Sequence, residues 1–142
     1  MQTSSGLYDP PLPPRLKLSA MWAGLTFCYL YGDYFGLYKP GKLGRMLEGA
    51  GPMGPTSQGS LLFVALLLVV PGLMVLLSLV LPARATRWLN IGLALFYAVF
   101  VAITMPGAWW FYLAYSCIEI AICAAIMWSA WTWVRAHPLG NA

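Results

Sequence analysis

The chain has 142 residues, 61% of them hydrophobic and only 8% charged. Soluble domains carry about 25% charged residues, and a chain this short buries only about two-thirds of its surface on folding. That much apolar surface excludes a soluble globular fold and makes lipid the expected solvent. The net charge of +4 comes from Lys and Arg that flank the apolar runs. It therefore reads as membrane topology and not as nucleic-acid binding.

Residues 1–15 form a polar tail rich in proline, with no basic residue before Arg15. The apolar run that follows is too long for the core of a cleavable signal and does not end in a small-x-small site, so an anchor is expected. Four spans are predicted, at about 16–38, 60–81, 88–105 and 109–134, each near the ~20 residues a helix needs to cross the hydrocarbon. None of the runs alternates in polarity, so helices and not barrel strands are expected. The fold class is all-α: a polytopic membrane protein, an antiparallel four-transmembrane-helix bundle. Residues 135–142 are a short C-terminal tail.

The connections differ in kind. Pro82–Arg87 is short and basic, and Pro106-Gly107-Ala108 carries a strong turn signal. The Gly/Pro-rich loop 39–59 is longer, and loops of that length are usually functional or disordered. Within it Leu43, Met46 and Leu47 share one helical face, the mark of a single interfacial turn. Arg15, Lys17, Arg84, Arg87 and Arg135 fall on one side, and Lys39, Lys42 and Arg45 on the other. The excess of positive charge places both termini in the cytoplasm. Trp22, Trp88, Trp128, Trp131 and Trp133 lie toward the inner span ends, and Tyr38, Trp109 and Trp110 toward the outer ones, as aromatic belts would.

Of four acidic residues, two fall inside predicted spans: Asp33 and Glu119. An ionisable group there costs roughly 2.5–3.5 kcal/mol on insertion scales and marks a functional site by default. On a helix, Glu119 shares its face with Tyr112, Ser116 and Cys123 and lies near the midplane. Asp33 lies nearer the outer surface, with Trp22, Thr26 and Tyr29 on its face. The third span adds a stripe of Asn90, Tyr97 and Thr104. These groups either converge on one polar interior or serve as separate interhelical contacts of about 0.6 kcal/mol each. For Glu119 the choice is between an acid that hydrogen-bonds a neighbouring helix and one that carries a proton or ligand. For Asp33 the plain alternative is an interfacial acid paired with water, Lys39 or Lys42. Pro71-Gly72 predicts a kink halfway along the second span. Gly32 and Gly36 form a GxxxG that would admit a close helix neighbour.

Cys28, Cys117 and Cys123 all fall in spans and read as buried free thiols. The sole histidine, His137, is in the tail, so bis-histidine haem ligation and histidine-rich metal sites are not expected in the bundle. No phosphate-binding loop, dinucleotide fingerprint or nucleophile elbow occurs. No enzyme activity, metal or cofactor is expected, although a hydrophobic ligand such as a quinone needs no such motif.

The run Leu18-Ser19-Ala20-Met21-Trp22, followed by the stretch from Phe27 to Gly41 (FCYLYGDYFGLYKPG), resembles the first span of a family of small bacterial membrane proteins of unknown function. The similarity continues through Pro71, Met74, Ser78, Arg87, Asn90 and Glu119 to the closing Trp128-Ser129-Ala130-Trp131-Thr132-Trp133. It covers nearly everything from Leu16 to Trp133. The resemblance implies a four-helix protein of the bacterial inner membrane, transfers no catalytic residue, and singles out Tyr29, Asp33, Tyr38, Asn90 and Glu119. The layout is also similar, at fold level only, to DoxX-type membrane subunits. Two functions follow. One is a structural or accessory subunit that packs against other membrane subunits or a second copy of itself. The other is a proton-linked transporter or a quinone or lipid binder that uses Glu119 and Asp33.

Overall fold

The computed structural model describes residues 10–51 and 54–133. Residues 1–9 and the whole predicted C-terminal tail 135–142, with Arg135 and His137, lie outside them. Four long helices dominate: α1 (Pro14–Gly36), α3 (Gln58–Val80), α4 (Ala83–Thr104) and α5 (Trp110–Trp131). The long loop holds the short α2 (Lys42–Leu47) and a two-residue antiparallel ladder, β1 (Ala50–Gly51) with β2 (Gly54–Pro55). Leu43, Met46 and Leu47 are all exposed on α2.

Local signals explain the boundaries. Pro14 sits in the first turn of α1, where its missing N–H is no loss. Ser57 and Ser60 cap each other's backbone N–H at the start of α3. The α4–α5 connection has Pro106, Gly107 at φ +76°, and an Ala108 N–H to Met105 carbonyl bond of 3.0 Å, the features of a type II turn. The sequence places the start of the third span at Trp88, but α4 begins at Ala83. Its first turn, Ala83–Arg87, is helical yet too polar for an apolarity scan to register. Thr86 secures that turn by donating toward the Leu81 and Pro82 carbonyls.

α3, α4 and α5 are long and apolar enough to cross a membrane. α1 equals α3 in length but holds Arg15, Lys17 and Asp33 and falls short of the same apolarity, so composition supports three of the four expected spans. α3 is the most apolar of the four and among the least buried, with only Pro71, Met74 and Ser78 fully enclosed. A helix that is apolar all round and still exposed fits a lipid surroundings, not water.

α1 packs against α3 on one side and α5 on the other, and α5 in turn against α4; α3 and α4 scarcely touch. Side chains bridge that open seam. The core is Leu18, Trp22 and Leu25 from α1, Met74 from α3, Ala94 and Tyr97 from α4, and Cys123, Ile126 and Ala130 from α5. Trp22, expected in an aromatic belt, is 0% exposed at the centre. Trp88, Trp128 and Trp131 do face outward. The cysteines also divide: Cys123 is buried, Cys28 half-buried and Cys117 exposed. Gly32 faces the Tyr115 ring at ordinary contact distance and Gly36 faces the Lys42 side chain, so the GxxxG pair does not seat a helix backbone.

Candidate functional site

Polar groups inside the bundle form two layers. The first lies toward the end that carries Arg15 and Arg87. Here the Trp22 indole N–H donates to Asn90 Oδ1 at 2.6 Å, and Asn90 Nδ2 donates to the Thr86 carbonyl at 2.7 Å. Ser78 Oγ lies 3.4 Å from Asn90, and Ser19 Oγ donates to the Val75 carbonyl at 2.8 Å. Trp22, Asn90, Ser78 and Thr86 are fully buried and each has a partner. At the helix ends, Arg15 donates to the Leu79 carbonyl at 2.7 Å and Arg87 to the Trp131 carbonyl at 2.8 Å. Both carbonyls belong to the last turns of α3 and α5, where no backbone N–H remains to satisfy them. Each guanidinium also lies over a tryptophan ring, Arg15 over Trp133 and Arg87 over Trp131.

The second layer is a cavity of about 70 Å³ toward the opposite end. α1 contributes Tyr29, Gly32 and Asp33, and α3 contributes Leu67 and Leu68. α4 supplies Tyr97, Phe100 and Val101, and α5 supplies Tyr112, Tyr115 and Glu119. Glu119 is only 5% exposed and has no hydrogen-bond partner among the described residues. Asp33 is exposed where it lines the cavity, and no cation lies within 4.0 Å of either carboxylate among the described residues. The Tyr29 hydroxyl is enclosed and unpartnered. This contrasts with the Trp22, Asn90, Ser78 and Thr86 group of the first layer, where only the Arg87 Nε at the helix end lacks a partner among the described residues.

Tyr97 closes one wall. Its hydroxyl donates to the Leu67 carbonyl across the α3–α4 seam at 2.6 Å. Leu67 stands four residues before Pro71, and Pro71 has no N–H to give the carbonyl at that position. Tyr97 replaces the missing donor. Tyr112 forms the roof, sharing a 2.9 Å hydrogen bond with Thr104. Lys39, from the loop, lies over the Trp109, Phe111 and Tyr112 rings, which holds the loop against the start of α5.

Of the candidate polar residues, the structure gathers Tyr29, Asp33, Tyr97, Tyr112 and Glu119 around one cavity and joins Thr104 to it through Tyr112. Asn90 belongs to the other layer. Ser116 is buried with an unpartnered hydroxyl but does not line the cavity. Tyr38 lies at the exposed end, its hydroxyl 2.9 Å from that of Tyr34. Lys39 is engaged with rings and does not pair with Asp33. Gly72 is exposed beside the buried Pro71, and α3 runs unbroken through both. Sequence reasoning missed Tyr115 and Phe100. Tyr115 precedes Glu119 by one helical turn and Phe100 follows Tyr97 by three residues, so helical spacing would have found both.

The chain belongs to a family of unknown function (DUF6326), whose model matches residues 14–138. No curated protein and no solved structure matches it.

Proposed function

We propose that this protein crosses the bilayer four times and uses the Glu119 cavity as a proton-linked binding site for a small solute. The observation that carries the proposal is a buried Glu119 that faces a cavity and has no hydrogen-bond partner among the described residues. An acid kept for packing would be hydrogen-bonded to a neighbouring helix, as Asn90 is in the other layer. A charge on Glu119 has to be balanced inside the cavity, by a proton on the acid itself or by a bound cation. The titratable groups around it are Cys28, Tyr29 and Asp33 from α1, Tyr97 from α4, and Tyr112, Tyr115 and Cys123 from α5; α3 contributes none.

Four spans are supported by the place of α1. Its Leu18, Trp22 and Leu25 are fully buried between α3 and α5, and its 23 residues extend about 34 Å, enough for the hydrocarbon core. Arg15, Lys17, Arg84 and Arg87 gather at one end of the bundle, with Arg135 following α5 in sequence, against Lys39, Lys42 and Arg45 at the other. That asymmetry supports a bacterial cytoplasmic membrane with both termini inside.

The test is modification of the protein in its native membranes with a membrane-permeant carbodiimide, read by peptide mass mapping. A carboxyl that faces a cavity as a protonated acid is modified, and the reaction slows as rising pH removes its proton. Asp33, exposed at the cavity, serves as the internal control. Modified Asp33 with untouched Glu119 would reject the proposal in favour of an accessory subunit whose Glu119 only packs.

A further inference from the structure

We infer that the solute is a small alkylammonium ion, held between Glu119 and Asp33 and faced by the rings of Tyr29, Tyr97 and Tyr112. The inference rests on the proposed binding role of this cavity and names the ligand's chemistry.

Charge comes first. Two carboxylates line the cavity and no Lys or Arg does; the Lys42 ammonium, beside Gly36, acts on Asp33 from outside the lining and leaves the Glu119 charge unbalanced, so the cavity selects a cation. The rest of the lining then decides which kind. Calcium needs six to eight oxygen ligands, and magnesium needs six in octahedral array and gives up its waters reluctantly. No group of three metal-ligating side chains exists among the described residues. The Tyr97 and Tyr112 hydroxyls that line the cavity are already engaged, which leaves the two carboxylates and the Tyr29 and Tyr115 hydroxyls as oxygens; the rest of the lining is aromatic and aliphatic. Rings attract a positive charge carried on methylated nitrogen, most strongly where water is excluded. An ammonium N–H also meets acceptors that have no other partner among the described residues: the Glu119 carboxylate and the Tyr29 hydroxyl.

Size narrows the class further. A cavity of about 70 Å³ is roughly half the ~150 Å³ apolar cavity that holds benzene. It has room for a few heavy atoms, as in methylammonium, and not for an ion bearing four ethyl groups. Exchange of such an ion for the proton on Glu119 keeps the charge of the cavity constant. An incoming ammonium N–H hydrogen-bonds the carboxylate as the acid proton leaves to solvent.

The experiment uses the full chain in lipid nanodiscs. The rate of carbodiimide modification at Glu119 is measured while methylammonium chloride is titrated to saturation, against sodium chloride of equal ionic strength and against tetraethylammonium chloride. Methylammonium is expected to slow modification about tenfold when present at ten times its dissociation constant. The two controls are expected to leave the rate unchanged. Asp33→Asn is expected to keep Glu119 reactive while weakening protection by about tenfold or more, as loss of a charged partner should. Modification that methylammonium does not slow, or that sodium or tetraethylammonium slows equally, overturns the alkylammonium assignment and leaves the cavity as a site. Absence of any modification at Glu119 overturns the site itself.

Discussion

Tyr97→Phe tests the central packing argument. The change removes one oxygen and leaves the ring, so the edge-to-face contacts with Trp22 (6.1 Å) and Phe96 (5.2 Å) persist. What is lost is the 2.6 Å bond to the Leu67 carbonyl, at a residue only 2% exposed. Interhelical hydrogen bonds in membranes average about 0.6 kcal/mol and reach about 1.7. The upper part of that range applies here, because the carbonyl has no backbone donor to return to. Pro71→Ala supplies that donor by restoring the N–H four residues on. Tyr97→Phe should therefore cost about 1.5 kcal/mol in the native background and close to nothing beside Pro71→Ala, a coupling of about 1 kcal/mol or more. The cycle is read from reversible unfolding of the four proteins in mixed micelles with increasing denaturing detergent. Equal costs in both backgrounds would refute the account: Tyr97 would then be a packing ring and not the replacement donor for a proline-broken helix.

Three further outcomes are expected. Asn90→Ala strands the Trp22 indole N–H in the core and should destabilise the bundle by roughly 2 kcal/mol, seen as a lowered thermal midpoint in the same micelles. Arg87→Ala uncaps the Trp131 carbonyl and removes a ring contact at an exposed position; a loss of about 0.5–1 kcal/mol is expected in a detergent-unfolding titration. A lipid-soluble maleimide should modify Cys117 in the folded protein and leave Cys123 untouched until the bundle unfolds, as mass spectrometry of each cysteine peptide will show.

The helices were legible in the sequence because a lipid-facing segment has to be long and continuously apolar, and α3 and α5 are both. The start of α4 was not, since Ala83–Arg87 is held helical by the Thr86 hydroxyl and by propensity while its composition is that of a loop. Trp22 shows the same limit from the other side. Its type and position suit a membrane interface, and only the facing Asn90 on a helix 68 residues away makes it a core residue. Periodicity states which side chains share a face, and it identified most of the cavity's polar lining: Tyr29 with Asp33, Tyr112 with Glu119, and Tyr97 on the third span. It does not state which faces meet. The partner of Tyr97 was nonetheless implicit in the sequence, because a proline inside a helix always frees the carbonyl four residues earlier.

The two polar layers carry the functional argument further than either acid alone. They lie in one bundle and are built from the same helices, so the fold can satisfy buried polar groups at this depth. Around Asn90 the side chains of Trp22, Ser78 and Thr86 all have partners, and only the Arg87 Nε at the helix end lacks one among the described residues. Around Glu119 a carboxylate and a tyrosine hydroxyl have none among the described residues. The geometry that leaves them so is specific. α3 packs on α1 and α4 on α5, the seam between α3 and α4 stays open, and Tyr97 spans it from the wall without filling it. A leucine at position 119 would close the cavity and remove the insertion cost of the acid. Retaining the acid beside an unfilled space lowers stability, a cost that the proposed exchange of a ligand and a proton there would offset. For this reason the cavity, and not the tidier layer beneath it, is where the function is placed.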